Sequence, residues 1–538
     1  MYKSLGLSKI HTAPLSSIHD NHQIKFTGIQ IALVITLALL VLLSHSGQIA
    51  CAAGKNIRTP AVAGRFYPEN PDKLRAAINR FMTYAIPAKN EQPIAIVSPH
   101  AGYIYSGQIM ADAFGQARPY DYDLIVLLGV NHTTPGFDGV SVFSTGGFKT
   151  PLGIAKIDSE AAQHLIRRYP QAVFDKSVHR EEHSIEVLVP FVQILFPDKP
   201  ILPIIVSHKD DDSTKIFGEV LAQSLIDRDA LIVASSDLSH YPPYARARQV
   251  DQKTLQAMIS LDIDRYQRVI RNQISSGADG LSTCACGDRP TMAAMTASKY
   301  LGASRGYIVS YANSGDALVG KRDRVVGYGA VGYSRQSAGK KDFPNFQTSP
   351  HNVLSPLTSS QQRRLLQFAR ITLSQFFESE TLPLPRFTDS RLHIGQGAFV
   401  TLKRHGQLRG CIGHMADNLP LCHTVGRMAL QAAFSDHRFS PLKASELEEI
   451  EIEISALTPF QQVEGPTNIV VGQDGVMIRK SGRSAVFLPQ VAPEQGWNRE
   501  EMLTHLCQKA GLSDSAWKEG ATFYTFQAQV FNEGAFKP

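Results

Sequence analysis

Four short apolar runs, separated by segments with helical periodicity, constrain the fold of this chain more than any other feature of its sequence. They occupy residues 94–98, 124–130, 201–206 and 230–235 and are rich in Ile, Val and Leu. Apolar and polar residues hardly alternate within them, which is typical of parallel strands covered by helices on both faces. The pattern therefore predicts a layered α/β domain.

The length of the chain predicts a second domain. At 538 residues the chain is too long for one hydrophobic core, because a single domain usually holds about 150 residues. We expect the first domain at 54–335, a polar linker with three prolines at 336–357, and the second domain at 358–538.

Within the second domain, helical periodicity mixes with strand-like segments. The helical segments are 361–377, 419–434 and 499–509, and the strand-like segments are 398–403, 449–456, 485–488 and 524–531. This mixture predicts a smaller α+β fold.

Residues 1–53 resemble a secretory signal peptide or a membrane anchor. An apolar run at 28–43 follows a polar segment with three lysines, and small residues at 44–53 suit a signal peptidase. A lipid-modified Cys51 is a third interpretation, although Gln48 stands where such signals usually carry an aliphatic residue. The segment predicts an exported protein, periplasmic or extracellular, or one tethered to a membrane through its N-terminus. The protein is cytoplasmic if this segment is not a signal.

The charge of the chain argues against a nucleic-acid partner. The formal net charge is only +6, and the sequence contains no long block of like charges. Nucleic-acid-binding surfaces usually concentrate basic residues in such blocks or stripes. We therefore expect no nucleic acid among the ligands.

Polar residues with metal-binding side chains follow the apolar runs. His100, His132 and His240 each come shortly after one run, and Cys286 precedes a predicted helix at 291–301. Ligands of open parallel sheets bind beyond the carboxyl ends of the strands, and a helix N-terminus favours a thiolate. Alone, each histidine is more typical of a hydrogen-bonded structural residue and Cys286 of buried packing. Together they indicate a metal site.

The chemistry of such a site depends on how many coordination positions the protein fills. Two imidazoles and one anionic ligand leave positions open, as in non-haem iron enzymes. A thiolate in the anionic position also suits zinc or copper(I). These ligand types alone do not select the metal.

Five separated motifs carry a family resemblance. They are PHAGYIYSG at 99–107, GVNHT at 129–133, EEHSIEVLVPF at 181–191, SSDLSHY at 235–241 and CGDRP at 286–290. Together, over about 58–333, they resemble the Memo family, also called AmmeMemoRadiSam system protein B. The resemblance implies a fold similar to that of class III extradiol dioxygenases.

The same resemblance implies roles for individual residues. The metal-site pattern falls on His100, His132 and Cys286, and His240 matches the acid/base histidine of the dioxygenases. We expect Asp237 to set the tautomer of His240. The ligand set of the dioxygenases has a carboxylate where this chain has Cys286, which argues against ring cleavage itself.

Two further residues and one competing motif lie in the segment 179–191. His183 and Glu186 are expected to orient the metal ligands from the second layer of the site. His179 and His183 also fit the H-x-x-E-H pattern of inverted zinc proteases. The family pattern leaves His179 out, so the protease is the weaker interpretation.

The second domain resembles another family over about 359–531. Its motifs are LRGCIG at 408–413, AAFSDHRFSPL at 432–442, EIEISALTP at 451–459 and FLPQVAPEQGW at 487–497. These resemble the AMMECR family, AmmeMemoRadiSam system protein A. Arg409 and Cys411 are candidates for a pocket, and inert packing of Cys411 is the alternative. The system's name implies a radical-SAM protein as a partner.

Two functions follow from these observations. The first is a metal-dependent, oxidoreductase-like protein that acts on an unknown small molecule or peptide, with iron as the favoured metal. The second is a non-catalytic metal-binding or peptide-docking module whose shell is closed by a fourth ligand, with Cys284 as the candidate and copper or zinc as alternative metals. A radical-SAM partner belongs to the reducing cytosol, so this partner and the predicted export conflict.

Overall fold

The computed structural model describes residues 56–277, 279–335 and 355–536. The signal or anchor predicted at 1–53 lies outside these residues, as do residues 336–354 of the predicted linker. Among the helices of the described ranges, none combines the length and the apolar character needed to cross a membrane.

The first domain is built on one large mixed sheet. Its strands are β1 Ile57–Arg58, β2 Pro93–Ser98, β3 Leu124–Gly129, β4 Val140–Val142, β5 Gly147–Thr150, β6 Gly153–Lys156, β7 Ala172–Val173, β8 Ile201–Val206, β9 Ala230–Ser235, β10 Arg305–Asn313 and β11 Gly327–Ser334. Eight of them form a sheet in the order β10-β11-β2-β9-β3-β8-β4-β7. The four predicted apolar runs are its central strands β2, β9, β3 and β8, and their pairings are parallel. The predicted α/β fold class is confirmed.

Both faces of this sheet are covered by helices. These helices are Pro71–Thr83, Tyr103–Ala117, Ser159–Arg168, Lys176–Arg180, Val189–Leu195, Asp211–Ser224, Tyr244–Met258, Ile263–Ser275 and Asp288–Tyr300. Successive residues of a strand point to opposite faces. In β3, Ile125 and Leu127 accordingly join one hydrophobic core, and Val126 and Leu128 join the other. Two cores explain why the strands are apolar without alternation.

The second domain consists of two antiparallel sheets with helices. Its strands are β12 Ala398–Arg404, β13 Gln407–His414, β14 Ile450–Leu457, β15 Gln461–Val463, β16 Gly475–Lys480, β17 Arg483–Phe487, β18 Thr522–Phe526 and β19 Ala528–Asn532. The sheet orders are β13-β12-β14-β19 and β15-β18-β16-β17. The helices are Ser359–Ser379, Leu421–Phe434, Val491–Gln495 and Arg499–Lys509. This is the predicted α+β fold.

The single strand predicted at 524–531 is wrong. The segment forms β18 in one sheet and β19 in the other, with Gln527 between them. Thr458 holds this crossing point, because its backbone N–H donates to the Gln527 carbonyl at 2.8 Å and its hydroxyl accepts from the Gln527 N–H at 2.8 Å. The residues on either side all favour strands, so their periodicity carries no signal of the change of sheet.

The two domains are joined by a buried ion pair. The carboxylate of Asp112, in the helix Tyr103–Ala117, is fully buried and receives both terminal nitrogens of Arg386 from the second domain. Asp112 also accepts from the Ile86 N–H at 3.0 Å and from the Ser310 hydroxyl at 2.6 Å. A buried carboxylate needs such a complete set of partners. Asp112 in the first domain therefore relies on a cation from the second.

We expect Arg386→Ala to lower the free energy of unfolding of the full chain by about 2 kcal/mol, because it leaves the buried Asp112 carboxylate without its counter-ion. The loss is smaller than the roughly 3–5 kcal/mol of a fully buried pair, since the Arg386 side chain is 28% exposed. Lys73→Ala is the control: it removes an exposed ion pair with Glu380 across the same interface and should cost less than about 0.5 kcal/mol. Urea unfolding measures both, and equal losses would contradict the prediction.

Candidate metal centre

Three parallel strands bring the predicted ligands to one edge of the sheet. β9 lies between β2 and β3, so the loops that follow these strands meet. His100 follows β2, His132 follows β3, and Cys286 lies against the loop that follows β9. The candidate ligand atoms of these three residues all lie within 4.8 Å of one another. The three residues selected by the family resemblance therefore form one potential metal-binding site.

Ser235 fixes the orientation of His100. The hydroxyl of Ser235 donates to the Ser184 carbonyl at 2.6 Å, so its oxygen accepts the Nδ1–H of His100 at 2.8 Å. This arrangement places the proton of His100 on Nδ1 and leaves Nε2 as the free donor for a metal. Burial, together with the nearby His132, His183 and His240, holds the pKa of His100 well below its usual value. The imidazole is therefore neutral, as a metal ligand must be.

Glu182 fixes the orientation of His132. One carboxylate oxygen of Glu182 lies 3.0 Å from His132 Nδ1, and the other accepts the His132 backbone N–H. Burial alone would lower the pKa of His132, but the hydrogen bond and the charge of Glu182 outweigh burial and raise it. The same pairing lowers the pKa of Glu182 against its own burial. Glu182 thus orients His132 and leaves its Nε2 free.

The Cys286 thiol lies 3.2 Å from His100 Nε2. The backbone N–H of Cys286 donates to the Asp237 carbonyl at 3.2 Å. The backbone N–H of Gly287 donates to the Ser236 hydroxyl at 3.0 Å. Gly287 is essential to this approach, because a Cβ there would lie 2.1 Å from the Ser235 carbonyl oxygen. The absence of a side chain at Gly287 thus allows Cys286 to lie against the loop after β9.

We expected the helix that follows Cys286 to favour its thiolate, but the surroundings of Cys286 favour the protonated thiol. The helix begins at Asp288 and not at 291, so Cys286 does lie just before its N-terminus. Burial nevertheless raises the pKa of Cys286 well above its usual value, and the charge of Asp237 raises it further. A metal that binds this thiol has to displace its proton.

The donor set and its spacing fit a metal ion. An ion about 2.3 Å from a thiolate sulfur and about 2.1 Å from an imidazole nitrogen sets these atoms about 3.1 Å apart when the two bonds meet at a right angle. The distance between Cys286 Sγ and His100 Nε2 is 3.2 Å. One metal ion could therefore reach both donor atoms.

His183 lies beside the ligands, but Glu186 does not. The ring of His183 stacks on His132 at 4.8 Å and meets the edge of His100 at 5.6 Å. The buried carboxylate of Glu186 is instead bound by the guanidinium of Arg58, the hydroxyl of Tyr67 and two backbone N–H groups. Glu186 thus contacts none of the three metal-site residues in these bonds. It anchors residues 58–67 behind the site.

The structure assigns Asp237 a different contact from the one expected. Its carboxylate accepts the His100 backbone N–H at 2.8 Å, and the predicted hydrogen bond to His240 is absent among the bonds of the described residues. Burial raises the pKa of Asp237 to about 7. Asp237 therefore shapes the loop that carries His100, and the structure does not show the bond through which we expected it to set the His240 tautomer.

His240 lies at the side of the site with an unused nitrogen. One ligand atom each of Asp237, His240 and Cys286 lie within 4.8 Å of one another. The His240 Nε2 atom is buried and has no hydrogen-bond partner among the described residues. Burial lowers the pKa of His240 to about 4, so the ring is neutral near pH 7. A buried polar atom without a partner is rare and points to a ligand or a reaction.

Two alternatives from the sequence do not form. His179 is buried and contacts the Ser141 hydroxyl at 3.0 Å, and its helix ends at Arg180, before His183. The two histidines of the protease motif therefore do not share a helix. Cys284 is fully buried and belongs to none of the metal-binding groups formed by the described residues. It is not the fourth ligand.

The second-domain candidates, Arg409 and Cys411, lie in β13. The Arg409 guanidinium binds both carboxylate oxygens of Glu446, at 2.8 and 3.0 Å, and the Ser440 carbonyl at 3.0 Å. Cys411 is partly buried and accepts from the Thr401 hydroxyl at 3.3 Å. Arg409 is thus engaged in internal contacts that a pocket residue would have to give up.

A cleft opens beside the first-domain site. It has a volume of about 400 Å³, and His132, His208, Lys209 and Arg289 are among its lining residues. The His132 side chain is 29% exposed, whereas His100 is almost completely buried. The site is therefore accessible from the His132 side.

Sequence reasoning missed Glu182, Ser184 and Ser235 as the residues that orient the ligands. All three stand within the motifs quoted above. A histidine ligand needs an acceptor for its other N–H, and this rule marks a carboxylate or a hydroxyl near each histidine as a candidate. Only the fold tells which one reaches it.

The fold and the site define a layered α/β protein with a potential two-histidine, one-cysteine metal centre. A profile of the family described as Memo-like protein matches residues 58–332, and a profile described as AMMECR1 matches 366–531. The chain belongs to the Memo family and carries an AMMECR1 domain after its Memo domain.

Two MEMO1 family proteins support the assignment to the Memo family. A MEMO1 family protein of Aquifex aeolicus is 37% identical over 274 residues, which are 51% of this chain and 97% of the relative. One of Methanosarcina barkeri is 37% identical over 279 residues, 51% of this chain and 99% of the relative. A solved structure of an uncharacterized protein from Pyrococcus horikoshii is 35% identical and covers 31% of this chain and 89% of its own, with a TM-score of 0.30.

We expect Ser235→Ala to weaken metal binding about 10- to 100-fold, because the His100 ring loses the acceptor that fixes its tautomer. The matched control is Ser141→Ala, which removes the same kind of hydrogen bond from His179, outside the site. It should leave metal affinity unchanged. Competition with a chelator measures both affinities, and an unaltered affinity in Ser235→Ala would rule out the assigned role.

Proposed function

We propose that the Memo domain is an iron-dependent, oxidoreductase-like protein that binds its substrate beside the metal. The observation that carries the proposal is the combination of three donor residues on one side of the site with the buried, unpartnered Nε2 of His240 on another. A structural metal site needs the donors but has no use for a free base next to them.

The metal would be held by His100 Nε2, His132 Nε2 and the Cys286 thiolate. Bound iron supplies one-electron redox chemistry and coordination positions for small ligands. Ser235 and Glu182 keep both imidazoles in the tautomer that donates from Nε2. The chain's own contribution is thus a set of donors oriented in advance.

His240 is the proposed proton acceptor. Its Nε2 has no competing hydrogen bond, and its backbone is fixed on both sides by bridges to Thr283 and Val326. A general base must lie within reach of the proton it takes and must be free to take it. A substrate that approaches through the cleft would pass His132, which is among the residues lining the cleft.

A non-catalytic metal-binding module is the second candidate, and the position of His183 favours it. His132, Glu182 and His183 form another group with ligand atoms within 4.8 Å of one another. If His183 rotates onto the ion, it closes the shell as a fourth ligand, which is the arrangement of structural sites. Under this alternative the site would dock a peptide or store a metal without turnover.

The substrate, partner and location belong to the same proposal. We propose an unknown small molecule or peptide as the substrate and a radical-SAM protein as a partner, on the basis of the family resemblance. Export or membrane tethering is proposed from residues 1–53 alone. The Cys286 side chain can be oxidised outside the reducing cytosol, and bound metal would protect it.

We expect the anaerobically purified full chain to contain about one iron per chain, and His100→Ala and Cys286→Ala to contain almost none, because each removes one of only three donors. Cys284→Ser is the matched control and should retain the metal, since Cys284 lies outside the group. Elemental analysis measures the content. Equal metal in the wild type and both ligand variants would reject the site.

The open and closed shells differ in their response to nitric oxide, a dioxygen analogue. We expect nitric oxide to bind the iron(II)-loaded chain and to produce a half-integer-spin EPR signal, because an open site has room for an exogenous ligand. If the signal is absent in the wild type and appears in His183→Ala, the closed shell is correct and the oxidoreductase proposal fails.

A further inference from the structure

Residues 314–326 form a strap that lies along the segment carrying His240. Val326 bridges to His240. The Tyr241 N–H donates to the Val325 carbonyl at 2.7 Å, the Val325 N–H donates to the Pro242 carbonyl at 3.0 Å, and the Tyr244 N–H donates to the Arg322 carbonyl at 2.9 Å. The position of His240 therefore depends on the position of the strap.

The other side of the strap is held by the second domain. Leu318 is 1% exposed and packs in one apolar cluster with Phe368 and Leu382 of the second domain. The helix Leu421–Phe434 approaches it closely at Gly426, where a Cβ would lie 2.8 Å from Leu318 Cδ2 and 2.9 Å from Phe368 Cε1. Only glycine permits this contact without a shift. The second domain thus contacts the strap through the buried side chain of Leu318.

Arg322 of the strap lies near enough to this helix to act on it electrostatically. Its guanidinium lies 4.2 Å from the centre of the Tyr244 ring. Burial lowers the pKa of His423, in the helix Leu421–Phe434, to about 3, and the charge of Arg322 lowers it further, followed by His393 and Arg427. The buried His423 is therefore neutral, and it tolerates the cation of the strap beside it.

The same apolar cluster reaches the His100 side of the site. Ile104, four residues after His100, packs against it. The metal ligands themselves are placed by β2, β3 and the contact of Gly287 with Ser235, none of which involves the second domain. The second domain therefore touches the surroundings of the site on two sides without supplying a ligand.

We propose that the second domain is a positioning partner of the metal centre, which holds the strap through Leu318 and thereby fixes His240 beside the three donor residues. The importance of His240 for turnover rests on the proposed function. The mechanical coupling from Leu318 to the His240 segment does not. Weakening the contact between Leu318 and the second domain should make the strap and the His240 segment more mobile, while metal binding persists.

Hydrogen exchange of the full chain tests this coupling. The amides to follow are those of Tyr241, Tyr244 and Val325, whose hydrogen bonds join the strap to the His240 segment. In Leu318→Ala we expect these amides to exchange about tenfold faster or more. The truncation leaves a cavity between Leu318 and the second domain, which lowers the free energy of local opening. Gly426→Ala should accelerate the same amides by pushing Leu318 away. Amides of β3 should keep their wild-type rates in both variants.

The control is Met428→Ala, on the same helix. Met428 is buried in the second domain's own core, so its truncation weakens that domain without touching the strap. It should leave the three strap amides at their wild-type rates. Acceleration equal to that in Leu318→Ala would overturn the proposal, because the effect would then reflect general loosening. Unchanged exchange in both Leu318→Ala and Gly426→Ala would overturn it as well.

Metal content of the same samples separates this proposal from the proposed function. Leu318→Ala should keep the metal of the wild type, and loss of that metal would overturn the positioning role, because the strap would then support the donor residues. If the wild type binds no metal, the proposed function fails, while the exchange result still decides whether the second domain holds the strap.

Discussion

The parallel pairing of β2, β9 and β3 is the constraint on which the candidate metal centre depends. Ser98 at the end of β2 pairs with Ser235 at the end of β9, and Leu128 near the end of β3 pairs with Ala234. This register ends the three strands at one level, so their loops meet over a short distance. A shift of one residue would turn Ser235 to the other face of the sheet and take away the acceptor of His100. The sheet register thus determines where the site forms, and the loops only add its side chains.

Buried carboxylates then hold the loops in place. Glu182 is 2% exposed and Glu186 is 1% exposed, and burial of each charge is costly unless its oxygens are fully paired. Glu182 is paired by His132 and by the Ser184 N–H at 2.8 Å. Arg58 completes the arrangement, because it binds Glu186 and also donates to the carbonyls of His179 and Glu182. The segment at the start of the domain is therefore part of the support of the site.

The sequence predicted the parallel strands well because their residues must be apolar on both faces, a signal that is local and strong. It predicted His100, His132 and Cys286 through their place after the strands and through the family resemblance. It did not predict that Asp237 binds the His100 backbone, since the expected partner, His240, is closer in sequence. It also missed the break at Gln527, because strand propensity is the same on both sides. Contacts that depend on the relative placement of two loops leave no periodic trace in the sequence.

The relatives match the first domain of this chain and cover about half of its length. The matched residues make up 97% of the Aquifex aeolicus relative and 99% of the Methanosarcina barkeri relative, so those proteins consist almost entirely of the first domain. A Memo domain can therefore fold without a covalently attached second domain. In this chain, however, the buried Asp112 is neutralised by Arg386 of the second domain. A first domain released from this chain would have to hydrate or protonate that carboxylate, whereas a domain that evolved alone has no reason to bury it unpaired. The interface thus reaches a fully buried residue of the first domain, and Asp112 relies on the second domain for its counter-ion.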